Sequence, residues 1–316
     1  MKNKNYLSDQ IRNNIPKRNI EEGRESVRMF VEMLKKRKIN VIDEAILNRA
    51  YEEEDYVDEK MLGLVLKALK IDEPVQYIPR YIRNMNAFHA NGTKVVVVDE
   101  LLEYTLISFL FTMYSLENNR SEENVTRCMK NFYVLEDLQN GKREIGTHNE
   151  TQLYEMSLLP ENLMHTAMDN YWTIWTSLIG HELYHAIHPE DRNGKDTELR
   201  ADQYAYRLLI NLIMQQKKNE VPEELQVFWE DQYLSPIILF EMFRLFDVYS
   251  ELKGKKIVYQ DHPTPKERQD NIFSMFKDDI PEEMNTEEGN KVLNLILNSS
   301  EYAEDWLRYK ISKGKL

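Results

Sequence analysis

The chain has 316 residues, of which 42% are hydrophobic and 30% are charged, a composition typical of a globular protein with a hydrophobic core. Its 41 lysines and arginines against 54 aspartates and glutamates give a formal net charge of −13, which disfavours nucleic acids and anionic lipids as partners because those are bound mainly through lysine and arginine. The single cysteine, Cys128, excludes a disulfide framework and any cysteine-rich zinc or iron–sulfur site.

The N-terminal part of the chain is predicted to be helical. Only ten glycines and ten prolines occur, and alternating apolar runs are few, so we expect a mainly α fold with a small β-sheet, that is, an α+β protein. Apolar residues at helical spacing predict amphipathic helices over 21–38 and 61–69. We assign both helices to an N-terminal helical region of residues 1–83.

One clear strand signal follows this region. The run from Thr93 to Val98 comes after the turn residues Asn91-Gly92 and before an apolar helix that begins at Glu100. Lys94 in an otherwise β-branched run indicates a strand at the edge of a sheet.

The remainder of the chain divides into a core and a C-terminal part. We expect a core over 84–275, interrupted by a polar insertion at about 116–160 that contains a helix near 125–138, and C-terminal helices over 276–316 that pack on the core. Apolar periodicity predicts further helices over 169–188, 198–217, 236–252 and 302–311. Asp196 or Thr197 is a candidate N-cap, and Gly254 a candidate C-terminal glycine.

The compartment is predicted to be the cytoplasm. The first residues, MKNKNYLSDQ, carry no apolar stretch after their basic residues, as a secretory signal would. The most apolar long segment, Leu101 to Leu116, is interrupted by Glu103 and is shorter than the ~20 residues that span a bilayer. We therefore expect a soluble protein without stable membrane insertion.

The motif His181-Glu182-Leu183-Tyr184-His185 indicates a metal centre. Helical residues four apart share a face, so His181 and His185 present two imidazoles to one point, with Glu182 beside them. Catalytic zinc commonly takes three protein ligands and leaves its fourth position to water. The alternative is a buried helix in which these groups pair with one another.

A third ligand is expected on the next predicted helix. Glu198 and Asp202 lie four residues apart and share a helix face, so one can bind zinc while the other accepts the distal N–H of an imidazole, that of His181. The metzincin pattern is excluded, because His188 and Asp191 stand where it needs glycine and histidine. We expect one zinc ion per chain, held by His181, His185 and Glu198.

Two further segments carry a resemblance to known proteins. The segment from Asn86 to Leu102 resembles the N-A-F, glycine, apolar strand, L-L signature that precedes the zinc helix in HtpX-like and CaaX-prenyl-protease-like gluzincins. The segment from His262 to Arg268 is similar to the His-Pro…Arg element that follows the E-x-x-x-D helix in the same group. ELRADQYAYRLL also resembles a segment of the ImmA/IrrE group, which, with the phage-exclusion protease Lit, is the nearer functional analogy among soluble gluzincins.

The resemblance implies a zincin-like metallopeptidase core. It implies that Asn86 to Val98 forms the edge strand beside the cleft, where Asn86, Ala87 and Phe88 would pair with an extended substrate backbone. For His262 the readings stay open: a turn residue at a helix entry, or a functional residue that is either a donor near the scissile carbonyl or a contact to the groups around the metal. Arg268 is expected to tie the His262 loop to acidic groups around the metal.

The resulting hypothesis is a soluble zinc-dependent endopeptidase that acts on a protein or peptide. Glu182 would take a proton from the attacking water and deliver it to the leaving amine. His262, Tyr204 or Tyr206 is a candidate donor to the oxyanion. The alternatives are a metal-stabilised regulatory or protein-binding module without catalysis, and a latent protease that cleaves itself. The oligomeric state stays open.

Overall fold

Helices make up most of the structure. The computed structural model describes residues 28, 32, 56–72, 75–80, 82–83, 85–89, 94–142, 159–191, 194–276 and 287–314. In these ranges the helices are α1 (Tyr56–Ala68), α2 (Glu100–Asn118), α3 (Glu122–Gln139), α4 (Glu161–Ile187), α5 (Lys195–Lys217), α6 (Ser235–Leu252), α7 (Pro265–Phe276) and α8 (Glu287–Ser312), with 3-10 turns at Glu223–Leu225 and Glu230–Gln232. The predicted helix over 21–38 lies outside the described residues, except for Arg28 and Glu32, which are helical.

A small sheet accompanies the helices, which confirms the predicted α+β class. Among the described residues it has three strands, β1 (Gln76–Arg80), β2 (Ala87–His89) and β3 (Val95–Asp99), in the order β1–β3–β2. Strand β1 runs parallel to β3, whereas β2 runs antiparallel to it.

The prediction that the valine-rich run is an edge strand was wrong. Strand β3 is central, with β1 on one side and β2 on the other, and all five of its residues are buried. Lys94, on which the prediction rested, lies just before the strand. Four consecutive valines suit a strand that is buried on both faces, as here. Within the described part of the sheet the two edge positions belong to β1 and β2.

Two of the predicted regions contact the core directly. Strand β1 lies within residues 1–83, which were expected to be helical, and it pairs with β3 of the predicted core. In the predicted insertion, α3 buries Val125, Cys128 and Phe132 in the main hydrophobic core. The rest of that segment, 143–158, lies outside the described residues.

The predicted N-cap of α5 was wrong, and the predicted glycine after the C-terminal end of α6 is confirmed. Helix α5 begins at Lys195 after Gly194, so Asp196 and Thr197 lie in its first turn and neither is the N-cap. Thr197 instead donates a hydrogen bond to Asp191 at 3.0 Å. Helix α6 ends at Leu252, and Gly254 follows in the left-handed region at φ 81°, as predicted.

Helices α4 and α5 pack against each other unusually closely beside the histidine motif. A Cβ atom at Gly180 would lie 2.8 Å from Leu208 Cδ2 and 3.2 Å from Ala205 Cα. Only glycine permits this approach without displacement of its neighbours. Since Gly180 directly precedes His181, this contact sets the spacing of the two helices at the candidate site. In the described part of the chain, no helix is both long and apolar enough to cross a membrane.

Candidate metal centre

Three candidate ligand side chains converge between α4 and α5. Nε2 of His181 lies 3.2 Å from Nε2 of His185, and the two nitrogens lie 3.3 and 3.4 Å from the two carboxylate oxygens of Glu198. The two histidines come from one face of α4, and Glu198 comes from the first turn of α5. The structure thus brings together the three residues that the sequence proposes as ligands.

The spacing of these atoms fits a zinc ion. Ligand atoms about 2.0–2.1 Å from a tetrahedral zinc ion lie about 3.3–3.4 Å from one another. The observed separations are close to that value: 3.2 Å between the two imidazole nitrogens, and 3.3 and 3.4 Å from each nitrogen to a different oxygen of Glu198. Two imidazole nitrogens and a carboxylate are also a donor set that zinc accepts in catalytic sites.

Asp202 and Arg268 form a buried support behind His181. Oδ1 of Asp202 lies 2.9 Å from Nδ1 of His181, and Oδ2 accepts a hydrogen bond from Nε of Arg268 at 2.8 Å. Asp202 is buried, so its charge is balanced by the guanidinium rather than by water. With Nδ1–H of His181 donated to Asp202, Nε2 of the same ring faces His185 and Glu198.

The pKa values of the two histidines in this cluster shift in opposite directions. Burial alone would lower the pKa of His181, but hydrogen bonds to Asp202 and Glu198 outweigh it and raise the pKa to about 9. Burial, together with the charge of His181, lowers the pKa of His185 to about 4. Burial opposes ionisation of Glu198, yet its contacts with His181 lower its pKa to about 2. Without metal, one proton is therefore held between His181 and its two carboxylates.

Glu182 is buried beside the ligands and lines the same cleft. Burial raises the pKa of its carboxyl, and the nearby charge of Glu198 raises it further, whereas His181 and a hydrogen bond from the backbone N–H of His89 act in the opposite direction. A carboxyl with an elevated pKa next to a metal centre is suited to accept and return a proton.

The cleft has a volume of about 850 Å³, and its lining combines the ligands with strand β2. Asn86, Ala87 and Phe88 all line it. The carbonyl of Asn86 accepts the backbone N–H of Asp99, which extends the pairing of β2 with β3. On its other side, β2 has no strand partner within the described residues.

The other predicted donors take different positions. His262 is 69% exposed at its side chain, lines the cleft and places Nδ1 3.4 Å from Oε2 of Glu198. It lies three residues before α7, so the helix-entry reading, the donor reading and the reading as a contact to a group around the metal are all compatible with its position. Tyr206 is buried in the core, and Tyr204 packs against Tyr184 at 5.5 Å; neither lines the cleft.

One residue of the site was not assigned a role from sequence. His89 ends β2, lines the cleft, and stacks on His185 with ring centroids 5.7 Å apart and an interplanar angle of 16°. A histidine in a segment expected to lie beside the cleft was the available signal. Its ring contact depends on how β2 packs on α4, which residue spacing does not reveal.

Comparisons with known proteins identify no relative: no family model, no curated protein and no solved structure matches this chain.

Proposed function

We propose that this chain is a zinc-dependent endopeptidase of the gluzincin type, with a zincin-like core, that hydrolyses peptide bonds of a protein substrate. The observation that carries the proposal is the convergence of His181, His185 and Glu198 at zinc-ligand spacing, with the buried Glu182 beside them in an open cleft. A purely structural zinc site is closed and has no need of a carboxylate held next to it.

Different residues of the site would have different roles in hydrolysis. A zinc ion held by His181, His185 and Glu198 would supply a Lewis acid for the scissile carbonyl and lower the pKa of water at neutral pH. Glu182 accepts the proton of the attacking water and passes it to the leaving amine, so that one carboxyl serves as base and then as acid. Asp202 holds His181 in the tautomer that presents Nε2 to the ion.

Strand β2 supports the assignment of an extended peptide as substrate. Residues of β2 line the cleft, and in the described part of the sheet β2 pairs with β3 alone, so a substrate strand can add to the sheet there through backbone hydrogen bonds. His262, exposed at the mouth of the cleft, is the donor that we propose for the oxyanion.

The test compares wild type with Glu182→Gln by metal analysis and by cleavage of a proteome-derived peptide library. Both proteins should carry about one zinc ion per chain, since Glu182 is not a ligand. Cleavage should fall by the ~10²–10⁴-fold typical of a lost general base. Glu190→Gln is the matched control, because Glu190 is exposed beyond the end of α4 and should leave both readouts unchanged.

Two outcomes would count against the proposal. Undiminished cleavage by Glu182→Gln would remove Glu182 from the mechanism. A wild-type protein that holds zinc but cleaves nothing in the library would favour the non-catalytic, metal-stabilised binding module.

A further inference from the structure

The two ligand histidines are oriented by different means. His181 is fixed by the hydrogen bond from its Nδ1 to Asp202. Among the described residues, Nδ1 of His185 has no such hydrogen bond; its nitrogen contacts are those of Nε2 with His181 and Glu198. A ligand imidazole usually donates its second N–H to a fixed acceptor, which sets the ring plane. Something else must therefore set the plane of His185.

The ring of His89 is placed to do so. It stacks on His185 at 5.7 Å between centroids and 16° between planes, whereas Tyr184 meets the same ring edge-on at 5.9 Å. A near-parallel contact limits rotation of the His185 ring about its Cβ–Cγ bond. The main chain of His89 also donates its N–H to Glu182, so one residue contacts both a ligand and the proposed base.

The segment that leads into β2 is held in place by the buried Asp99. The two carboxylate oxygens of the buried Asp99 accept the backbone N–H groups of Ile82 and Met85, at 3.0 and 2.9 Å. Arg83 and Met85 adopt left-handed backbone angles, φ 66° and 48°, which are unfavourable for non-glycine residues. Tertiary contacts therefore determine the path of the chain into β2, and with it the position of His89.

We propose that His89 is a positioning residue for the metal centre: its ring, acting through its flat face and not through its nitrogens, holds His185 in the orientation that binds zinc. The inference rests on the proposed zinc site, but it does not require that the protein cleaves peptides. In this role His89 neither binds the metal nor transfers a proton.

The experiment measures zinc affinity of the full chain by competition with a chromophoric chelator. His89→Ala should weaken zinc binding about tenfold, at the lower end of the range for residues that orient ligands. His89→Phe keeps a flat ring without nitrogens and should bind within about threefold of wild type. His188→Ala is the control, because His188 packs on Tyr184 and Tyr204 outside the ligand triangle and should not alter affinity.

Each result decides between readings. Wild-type affinity in His89→Ala would overturn the proposal, and equal loss in His89→Phe and His89→Ala would show that a ring nitrogen is needed, which also overturns it. Rescue by phenylalanine would support it, because general damage to the fold would not be repaired by that substitution. Zinc binding without cleavage in wild type would refute the peptidase alone, whereas no zinc binding in wild type would refute both.

Discussion

At the scale of single residues, His181 is the centre of the site's electrostatics. It lies between two carboxylates, Glu198 at 3.3 Å and Asp202 at 2.9 Å, and Arg268 neutralises the second of these. When His181 is protonated, two anions, Glu198 and Asp202, are balanced by two cations, His181 and Arg268. A zinc ion at the proposed site would replace the proton on Nε2 of His181, so proton and metal would compete for the same atom.

Removal of Asp202 should weaken this centre. Asp202→Ala deletes the acceptor for Nδ1–H of His181 and leaves the guanidinium of Arg268 without its carboxylate, so we expect zinc affinity to fall by about 10–100-fold. Asp202→Asn keeps an oxygen acceptor and should lose less. Chelator-competition titrations of the three proteins measure this; equal affinities would contradict the role given to Asp202.

Zinc binding and metal-free stability should depend on pH in opposite ways. The folded-state pKa of His181, about 9, exceeds its ordinary 6.5. Its contribution to the free energy of unfolding is therefore fully present below pH 6.5 and is lost as the pH rises through 9. The melting temperature of metal-free protein should decrease across this interval. Apparent zinc affinity should increase by about tenfold per pH unit, because one proton is displaced. A flat affinity profile would contradict this.

At the scale of elements, the site depends on how closely two helices approach. His181 and His185 lie four residues apart on α4, and Glu198 reaches them where α5 packs closely against Gly180. The short connection between the helices is fastened by Asp191, which accepts hydrogen bonds from Thr197 at 3.0 Å and from Nε of Arg200 at 2.8 Å.

A larger side chain at Gly180 should separate the helices. In Gly180→Val the new atoms would overlap Leu208 and the backbone of Ala205, and overpacking of this kind costs about 1–3 kcal/mol. We expect a lower melting temperature and weaker zinc binding. Gly63→Val is the matched control: Gly63 is exposed on α1, with no atom within 4 Å of an added Cβ, so stability and zinc affinity should be nearly unchanged.

The elements also show where prediction from sequence succeeds. Helices α4, α5 and α6 were predicted from apolar periodicity, which depends on residues one turn apart. Strand β1 was not predicted, because Gln76–Arg80 includes Pro79, which is rare within strands. Its partner in the sheet is also not the next strand in the chain, β2, but the one after it, β3. The burial of β3 was likewise a product of strands on either side of it, which a local pattern does not specify.

At the scale of the whole molecule, the proposed zinc ion should stabilise the fold. His181 and His185 lie on α4 and Glu198 on α5, so an ion bound by all three links two helices of the core. A ligand present at 100 times its dissociation constant adds about 2.7 kcal/mol to the free energy of unfolding.

Removal of the metal should therefore lower the melting temperature. We expect a chelator to reduce it by several degrees in wild type, as measured by circular dichroism. His185→Ala lacks a ligand and should melt at the same temperature with or without chelator. A chelator effect of equal size in this variant would place the stabilising metal elsewhere in the protein.

By itself, the sequence determined the helical character of the chain, the single-face placement of His181 and His185, and the pairing of Glu198 with Asp202 on a second helix, because each follows from a period of one or two helical turns. Only the tertiary structure decided that these two faces meet at ligand distance, that β2 and not β3 lies at the edge of the described sheet, and that His89 stacks on His185. The reason is physical: spacing along a helix is set by local geometry, whereas the approach of α4, α5 and β2 is set by packing between residues far apart in the chain, at Gly180 and at Asp99.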